Sequence, residues 1–210
     1  MTVETVAKRR RGRPPKDHSA FGATRAALIR SGIELLTEKG FSATGIDEIL
    51  RRVNVPKGSF YHYFGSKDAF GAELIDSYAA FFQHKLDKFL LDESHPPLDR
   101  LRAFIDDAIA GMRRYEFKRG CLVGNLGQEM GALPEPFRDR LLAAFNAWQN
   151  SVARCLELAR HEGQVRNDID CQQTAYVFWT GWEGAVLRAK LERSPTALTE
   201  FSSFFLGSLR

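Results

Sequence analysis

The sequence predicts an all-α protein of about nine helices that includes a helix-turn-helix. Apolar residues recur at helical spacing along most of the 210 residues. No stretch alternates polar and apolar residues as a half-buried strand would, and neither an Asn-Gly hairpin signal nor a repeat occurs. Small polar residues, glycine and proline fall where helices would start and stop.

The first helix runs from about Ala23 to Lys39, with Ala27, Leu28, Ile33, Leu35 and Leu36 recurring at roughly helical spacing. Gly40 stops it in the left-handed region, and Phe41 is placed for the apolar contact that follows such a stop. Thr44 reads as the N-cap of a second helix, with Asp47 as an acidic variant of the capping box and Ile46, Ile49 and Leu50 facing inward through Val53. Asn54 suits a left-handed turn, and Pro56 the first turn of a third helix ending near Phe64. Two short helices joined by a tight turn form a helix-turn-helix. Ser66 caps a long helix to about Leu91, and DESHPP, residues 92–97, is the clearest break. Beyond it, helices are expected at roughly 97–115, 137–162, 170–192 and 196–208, while Leu122 to Gly131 has no clear assignment.

The net charge of +4 is unevenly placed: residues 1–16 carry Lys8, Arg9, Arg10, Arg11, Arg13 and Lys16 against Glu4 alone. With glycine and proline among these charges and nothing apolar to bury, this segment is expected to stay disordered until a polyanion orders it. Nucleic acid is the first candidate and a membrane surface the second. The longest strongly apolar stretch, Thr174 to Leu187, is broken by Glu183 and falls short of the ~18 residues a span requires. Behind the basic start there is no apolar run or cleavage site of a secretory signal, so a cytoplasmic location is expected. Cys121, Cys155 and Cys171 are widely spaced and form no C-x-x-C pair, which points to reduced thiols. GNLGQEMG, residues 124–131, is no phosphate loop, and His84, His95 and His161 have no ligand spacing to the cysteines. Neither enzymatic activity nor a cofactor or metal is expected.

A helix that enters the major groove must offer small or polar groups at its start and donors along one side, because base edges and phosphates are both hydrogen-bond partners. Lys57 to Tyr63 fits. Gly58 and Ser59 permit close approach, Lys57 and Lys67 suit phosphates, Tyr61 and Tyr63 carry hydroxyl donors, and His62 suits a base edge. Thr44 joins this DNA-binding set. Phe60 and Phe64, four residues apart, point inward, and the neighbouring aromatics read also as the core of a small bundle.

GFSATGIDEILRRVNVPKGSFYHYFGSKDAF, residues 40–70, resembles the DNA-binding signature of the TetR family of bacterial transcriptional repressors. Gly40, Thr44, Ile49, Val55, Gly58, Tyr61, Tyr63, Phe64 and Lys67 occupy the matching positions. The resemblance implies an N-terminal three-helix helix-turn-helix DNA-binding domain at 19–66 and a larger C-terminal helical ligand-binding and dimerisation domain at 67–210. It implies a homodimer on double-stranded, palindromic operator DNA, with reading helices one turn or ~34 Å apart, released by a small-molecule inducer. Residues 1–18 then form a basic arm. Arg11 and Arg13, within Arg-Gly-Arg-Pro, read either as an AT-hook-like element for a narrow minor groove or as a tail that strengthens nonspecific binding.

KRGCLVGNLGQEMG, residues 118–131, sets Cys121 behind two basic residues at the start of a possible helix, which favours the reactive thiolate. A lone cysteine also reads as an inert core residue, as Cys155 and Cys171 do. With FWTGWEGAVLRAKLERSP, residues 178–195, this segment resembles acrylate-responsive members of the family. More weakly it resembles members that sense electrophiles through a cysteine at the position of Cys121, with a lysine whose place Lys190 takes. The resemblance implies a small unsaturated acid such as acrylate as inducer, or covalent modification of Cys121 by a related electrophile. Trp179, Trp182, Glu183, Val186 and Lys190 share one helix face, an aromatic wall ending in a cation for a carboxylate, or else a packing stripe. Asn125 and Gln128 are further polar candidates, and Arg188 a second cation. Gly181, Ala185 and Ala189 line another face and, with the last helix, are assigned to the dimer interface. A ligand-independent DNA-binding protein is the rival, separated by whether any small molecule changes operator affinity.

Overall fold

Each helix end has a local cause. The computed structural model describes residues 18–210 and runs as α1 (His18–Lys39), α2 (Ile46–Val53), α3 (Lys57–Phe64), α4 (Lys67–Leu90), α5 (Pro97–Arg114), α6 (Leu122–Gln128), α7 (Pro136–His161), α8 (Cys171–Glu192) and α9 (Thr196–Ser208). A 3-10 turn, Met130–Ala132, follows α6. The basic arm, with Arg11 and Arg13, lies outside the described residues. Among the described residues there is no strand, and no helix is long and apolar enough to cross a membrane.

α1 ends where Gly40 takes a φ of 80°. α2 ends at Asn54, φ 54°, whose N–H turns back to the carbonyls of Arg51 and Leu50. Ser66 Oγ caps α4 by accepting the N–H of Ala69 at 3.0 Å. Ser66→Ala removes that acceptor and is expected to cost about 1 kcal/mol, read as a lower urea midpoint with an unchanged slope.

The second helix starts differently from the sequence expectation. Its N-cap is Gly45 and has no side-chain cap bond. Thr44 is only 1% exposed, and its hydroxyl donates to the Gly40 carbonyl at 2.6 Å. Closing the α1–α2 turn consumes the group that was expected to cap α2 or face DNA. Pro56 is likewise the N-cap of α3 and precedes its first turn.

Phe60 and Phe64 do turn inward, and Phe70 of α4 meets them at ring-centroid distances of 5.3 and 4.5 Å. With Leu28, Leu35, Ile49 and Leu50 they fill the core of the three-helix head. α4 continues from there into the larger domain, where α7 packs against α4, α5, α6 and α8, and α8 against α9. The small-residue line of α8 serves this internal packing. A side chain at Gly181 would collide with the ring of Phe201 on α9, and Ala185 and Ala189 are buried. It is therefore unavailable as a dimer surface.

Candidate DNA-reading head and sensor site

α3 has two faces. Opposite the buried phenylalanines, Lys57, Gly58, Tyr61 and His62 are exposed, and Ser59 is partly so. Tyr61 leaves 55% of its surface open, which no internal contact of the head requires. A side chain added at Gly58 would meet nothing within 4 Å, so the chain's own packing does not call for glycine there. Lys57 pairs with Asp47 at 3.0 Å across the turn, both side chains well exposed. Such a pair contributes little to stability and exchanges readily for another anion. Tyr63 instead stacks on Phe21 at 4.5 Å. Lys67 donates to the Phe41 carbonyl at 3.3 Å and sits over the Phe41 ring, so its ammonium braces the α1–α2 turn.

Cys121 is the N-cap of α6, its sulfur accepting the Gly124 N–H at 3.4 Å. The thiol is 8% exposed, and burial, reinforced by Glu183, pushes its pKa well above the usual thiol value. Of the two readings of Cys121, this favours the buried, protonated thiol over the thiolate. The basic neighbours that argued for it are engaged elsewhere, Lys118 with Glu116 and Arg119 with Glu34 and Glu38. Tyr78 of α4 and Glu183 of α8 are the ionisable neighbours of this thiol. Glu183 fits there because Gly124 has no side chain to meet its carboxylate.

Next to these groups lies a buried aromatic cluster. Trp148 of α7 and Trp179 of α8 sit 5.3 Å apart, with Phe82 against both and Tyr78 against Trp148 and Phe82. Both indole N–H groups, Glu183 Oε1 and Gln83 Oε1 are buried without a hydrogen-bond partner. Each such group costs roughly 1–3 kcal/mol. Several in one neighbourhood mark a place where a polar ligand would be stabilised. Two surface clefts of about 700 and 790 Å³ run beside α5 and are lined by none of these residues.

The expected single face of α8 divides. Trp179 and Glu183 turn toward Tyr78, Trp148 and Cys121, whereas Trp182 stacks on Phe178 and approaches Phe201 of α9. Arg188 pairs with Glu192 on the surface. Gln128 is exposed. Lys190 and Asn125 are committed to α1: Lys190 Nζ donates to the carbonyls of Thr37 and Glu38 and to Asn125 Oδ1. Asn125 Nδ2 donates to the carbonyls of Leu36 and Thr37 at 2.9 and 3.0 Å. The last carbonyls of α1, which no α-helix can satisfy internally, are thus capped by the larger domain. At the other end of α6, Glu129 accepts the N–H groups of Phe41 and Ser42 at 3.0 and 2.8 Å.

Sequence reasoning missed Tyr78, Trp148, Gly124 and Glu129. The first two sit on ordinary apolar helix faces, and the last two matter through partners far away in the chain. Glu183 supplies a pH signature. Burial raises its carboxyl to about 7, so ionisation opposes the folded state as pH rises from the usual carboxylate range toward that value. Stability from this group is therefore greatest at low pH. Glu183→Gln is expected to gain about 1–3 kcal/mol over the parent at about pH 8, the gap closing by about pH 5, in paired urea titrations.

Comparison with known proteins agrees with this layout. Residues 28–74 match the family described as bacterial regulatory proteins, tetR family, and residues 97–205 match the tetracyclin repressor-like C-terminal domain. The chain is 51% identical over 198 residues to the transcriptional regulator AcuR of Cereibacter sphaeroides, covering 94% of this chain and 90% of the relative. It is 31% identical to the HTH-type transcriptional repressor NemR of Escherichia coli over 81% of this chain and 86% of the relative. The crystal structure of regulatory protein TetR from Rhodobacter sphaeroides superposes with a TM-score of 0.87 at 50% identity, covering 89% of this chain and 99% of that one. The chain belongs to the TetR family of bacterial regulatory proteins.

Proposed function

We propose that this regulator is a cytoplasmic repressor that holds a palindromic operator as a homodimer and releases it when a small unsaturated acid such as acrylate reaches the site around Cys121. The observation that carries this reading is α6. One seven-residue helix begins on the sensor thiol, and the residue that ends it, Glu129, grips the turn that feeds the reading head. A ligand that displaces the start of α6 shifts Asn125 and Glu129 with it. It thereby moves α1 and the helix-turn-helix relative to the rest of the protein.

The chemistry of the cluster suits the ligand. The unpaired indole N–H groups of Trp148 and Trp179 are donors for a carboxylate, a role sequence reasoning gave to Lys190. Cys121 is a soft partner for an electron-poor alkene. At the DNA end, Lys57, Gly58, Tyr61 and His62 form the reading surface, assisted by the arm with Arg11 and Arg13. The two functional domains, 19–66 and 67–210, meet at Ser66. The dimer face is the exposed apolar set Tyr176, Val177, Leu187 and Leu191 on α8 with Phe204 on α9, a patch that a monomer would leave in water.

Acrylate is expected to raise the thermal midpoint of the protein with concentration, as any ligand of the folded state does. Trp179→Phe keeps an aromatic side chain but removes the indole donor, and should weaken that response by about tenfold or more. An unchanged dose response in this variant would remove the indole from the ligand site.

A further inference from the structure

Cys121 is ill suited to react unaided. Burial and the nearby Glu183 keep its thiol protonated, and its flanking cations are held by Glu116, Glu34 and Glu38. What does face the sulfur is a proton acceptor. Glu183 is an ionisable neighbour of the thiol, and its carboxylate rests against α6 in the space beside Gly124, the residue whose N–H bonds the sulfur at 3.4 Å. Its Oε1 is buried with no partner. The other titratable groups around the pair are Tyr78 of α4 and Lys190 of α8, whose ammonium is tied to α1 and Asn125. No cation is among the groups that shift Glu183.

We propose that Glu183 is the base that activates Cys121 for addition to an α,β-unsaturated acid or a related electron-poor alkene. The proposal rests on the reading of Cys121 as the inducer's site. The thiol proton passes to the Glu183 carboxylate as sulfur bonds the β-carbon of the alkene. The π pair moves to the α-carbon, which then takes the proton back from the Glu183 carboxylic acid. A thioether results, nothing is oxidised or reduced, and Glu183 returns to its starting form. The hydroxyl of Tyr78, an ionisable neighbour of the thiol, is the donor that would stabilise the sulfur as negative charge develops. A buried carboxyl that titrates at about 7 is partly ionised at neutral pH, where a general base works best.

The test uses the full-length protein with acrylate and, separately, N-ethylmaleimide as probes, with adduct formation at Cys121 followed by intact mass and peptide mapping across pH. The expected rate rises with pH with a midpoint near 7, as Glu183 ionises. Glu183→Gln should lower the rate about 10²-fold and abolish that midpoint, and Glu183→Asp should restore part of it. A Glu183→Gln protein that reacts as fast or faster overturns the proposal, because removing a merely repelling charge would ease thiol ionisation. Absence of a Cys121 adduct with both probes, or a parent profile without the midpoint, overturns it without any variant. Circular dichroism checks the fold of each variant. Operator release is measured in parallel: adducts with the expected profile but no release leave the base role standing and remove the inducer reading. Release without any adduct does the reverse.

Discussion

Glu129→Ala is expected to strip the inducer of most of its effect on operator binding. In the parent protein the Glu129 carboxylate accepts two backbone N–H groups from the turn between α1 and α2, and charge-assisted bonds of this kind are stronger than neutral ones. They are the direct link from the end of α6 to the DNA-reading head. Allosteric coupling typically amounts to 1–3 kcal/mol, or about 5–150-fold in affinity. With this link gone and only the contacts of Asn125, Lys190 and Gly120 with α1 remaining, the ratio of operator affinities without and with inducer should fall by about fivefold or more. The head keeps its own core of Phe60, Phe64 and Phe70, so it should stay folded, with stability lowered by roughly 1–3 kcal/mol for the lost acceptor. A variant that is released as fully as the parent would exclude Glu129 from the coupling.

Cys121→Ser is the second large effect, and it separates chemistry from structure. Serine is among the preferred N-cap residues, so its hydroxyl can replace the sulfur as acceptor for Gly124 and the start of α6 should survive. Operator affinity without inducer is then expected to stay within about threefold of the parent. Sensitivity to acrylate should drop by about 10²-fold or more, because a serine hydroxyl lacks the nucleophilicity of a thiol. The measurement is a dose response of operator release for both proteins at one salt concentration, since operator affinity depends steeply on salt.

Features fixed by neighbours in the chain were legible in the sequence. Gly40 and Asn54 stop their helices in the left-handed region as expected, and the four-residue spacing of Phe60 and Phe64 placed both in the core. The exposed row of Lys57, Gly58, Tyr61 and His62 follows from that spacing. Features decided by distant partners were not. Thr44 looked like an N-cap because its sequence context fits one, yet the Gly40 carbonyl claims its hydroxyl. The basic residues before Cys121 suggested a thiolate, but acidic groups of α1 and of the preceding turn neutralise them. Gly181 looked like an interface residue until Phe201 of the same chain filled the space beside it. Lys190 ended a plausible ligand wall, and only the fold shows that the end of α1 occupies its ammonium.

The larger domain caps the end of α1 with several side chains. Asn125 and Lys190 satisfy its final carbonyls, and the Gly120 N–H donates to Thr37 at 2.9 Å. Gly120 and Asn125 flank Cys121 on the same strip of backbone. A shift of that strip therefore disturbs bonds to the reading domain directly.

On the proposed mechanism, a small unsaturated acid at Cys121 releases the head from its operator. The most direct test is fluorescence anisotropy of the full-length protein on DNA from upstream of its own gene, at fixed salt, with acrylate titrated against propionate as the saturated control. Saturable release by acrylate and none by propionate at equal concentration is the expected result. Equal release by both acids, or retention of the DNA in the presence of each, would contradict it.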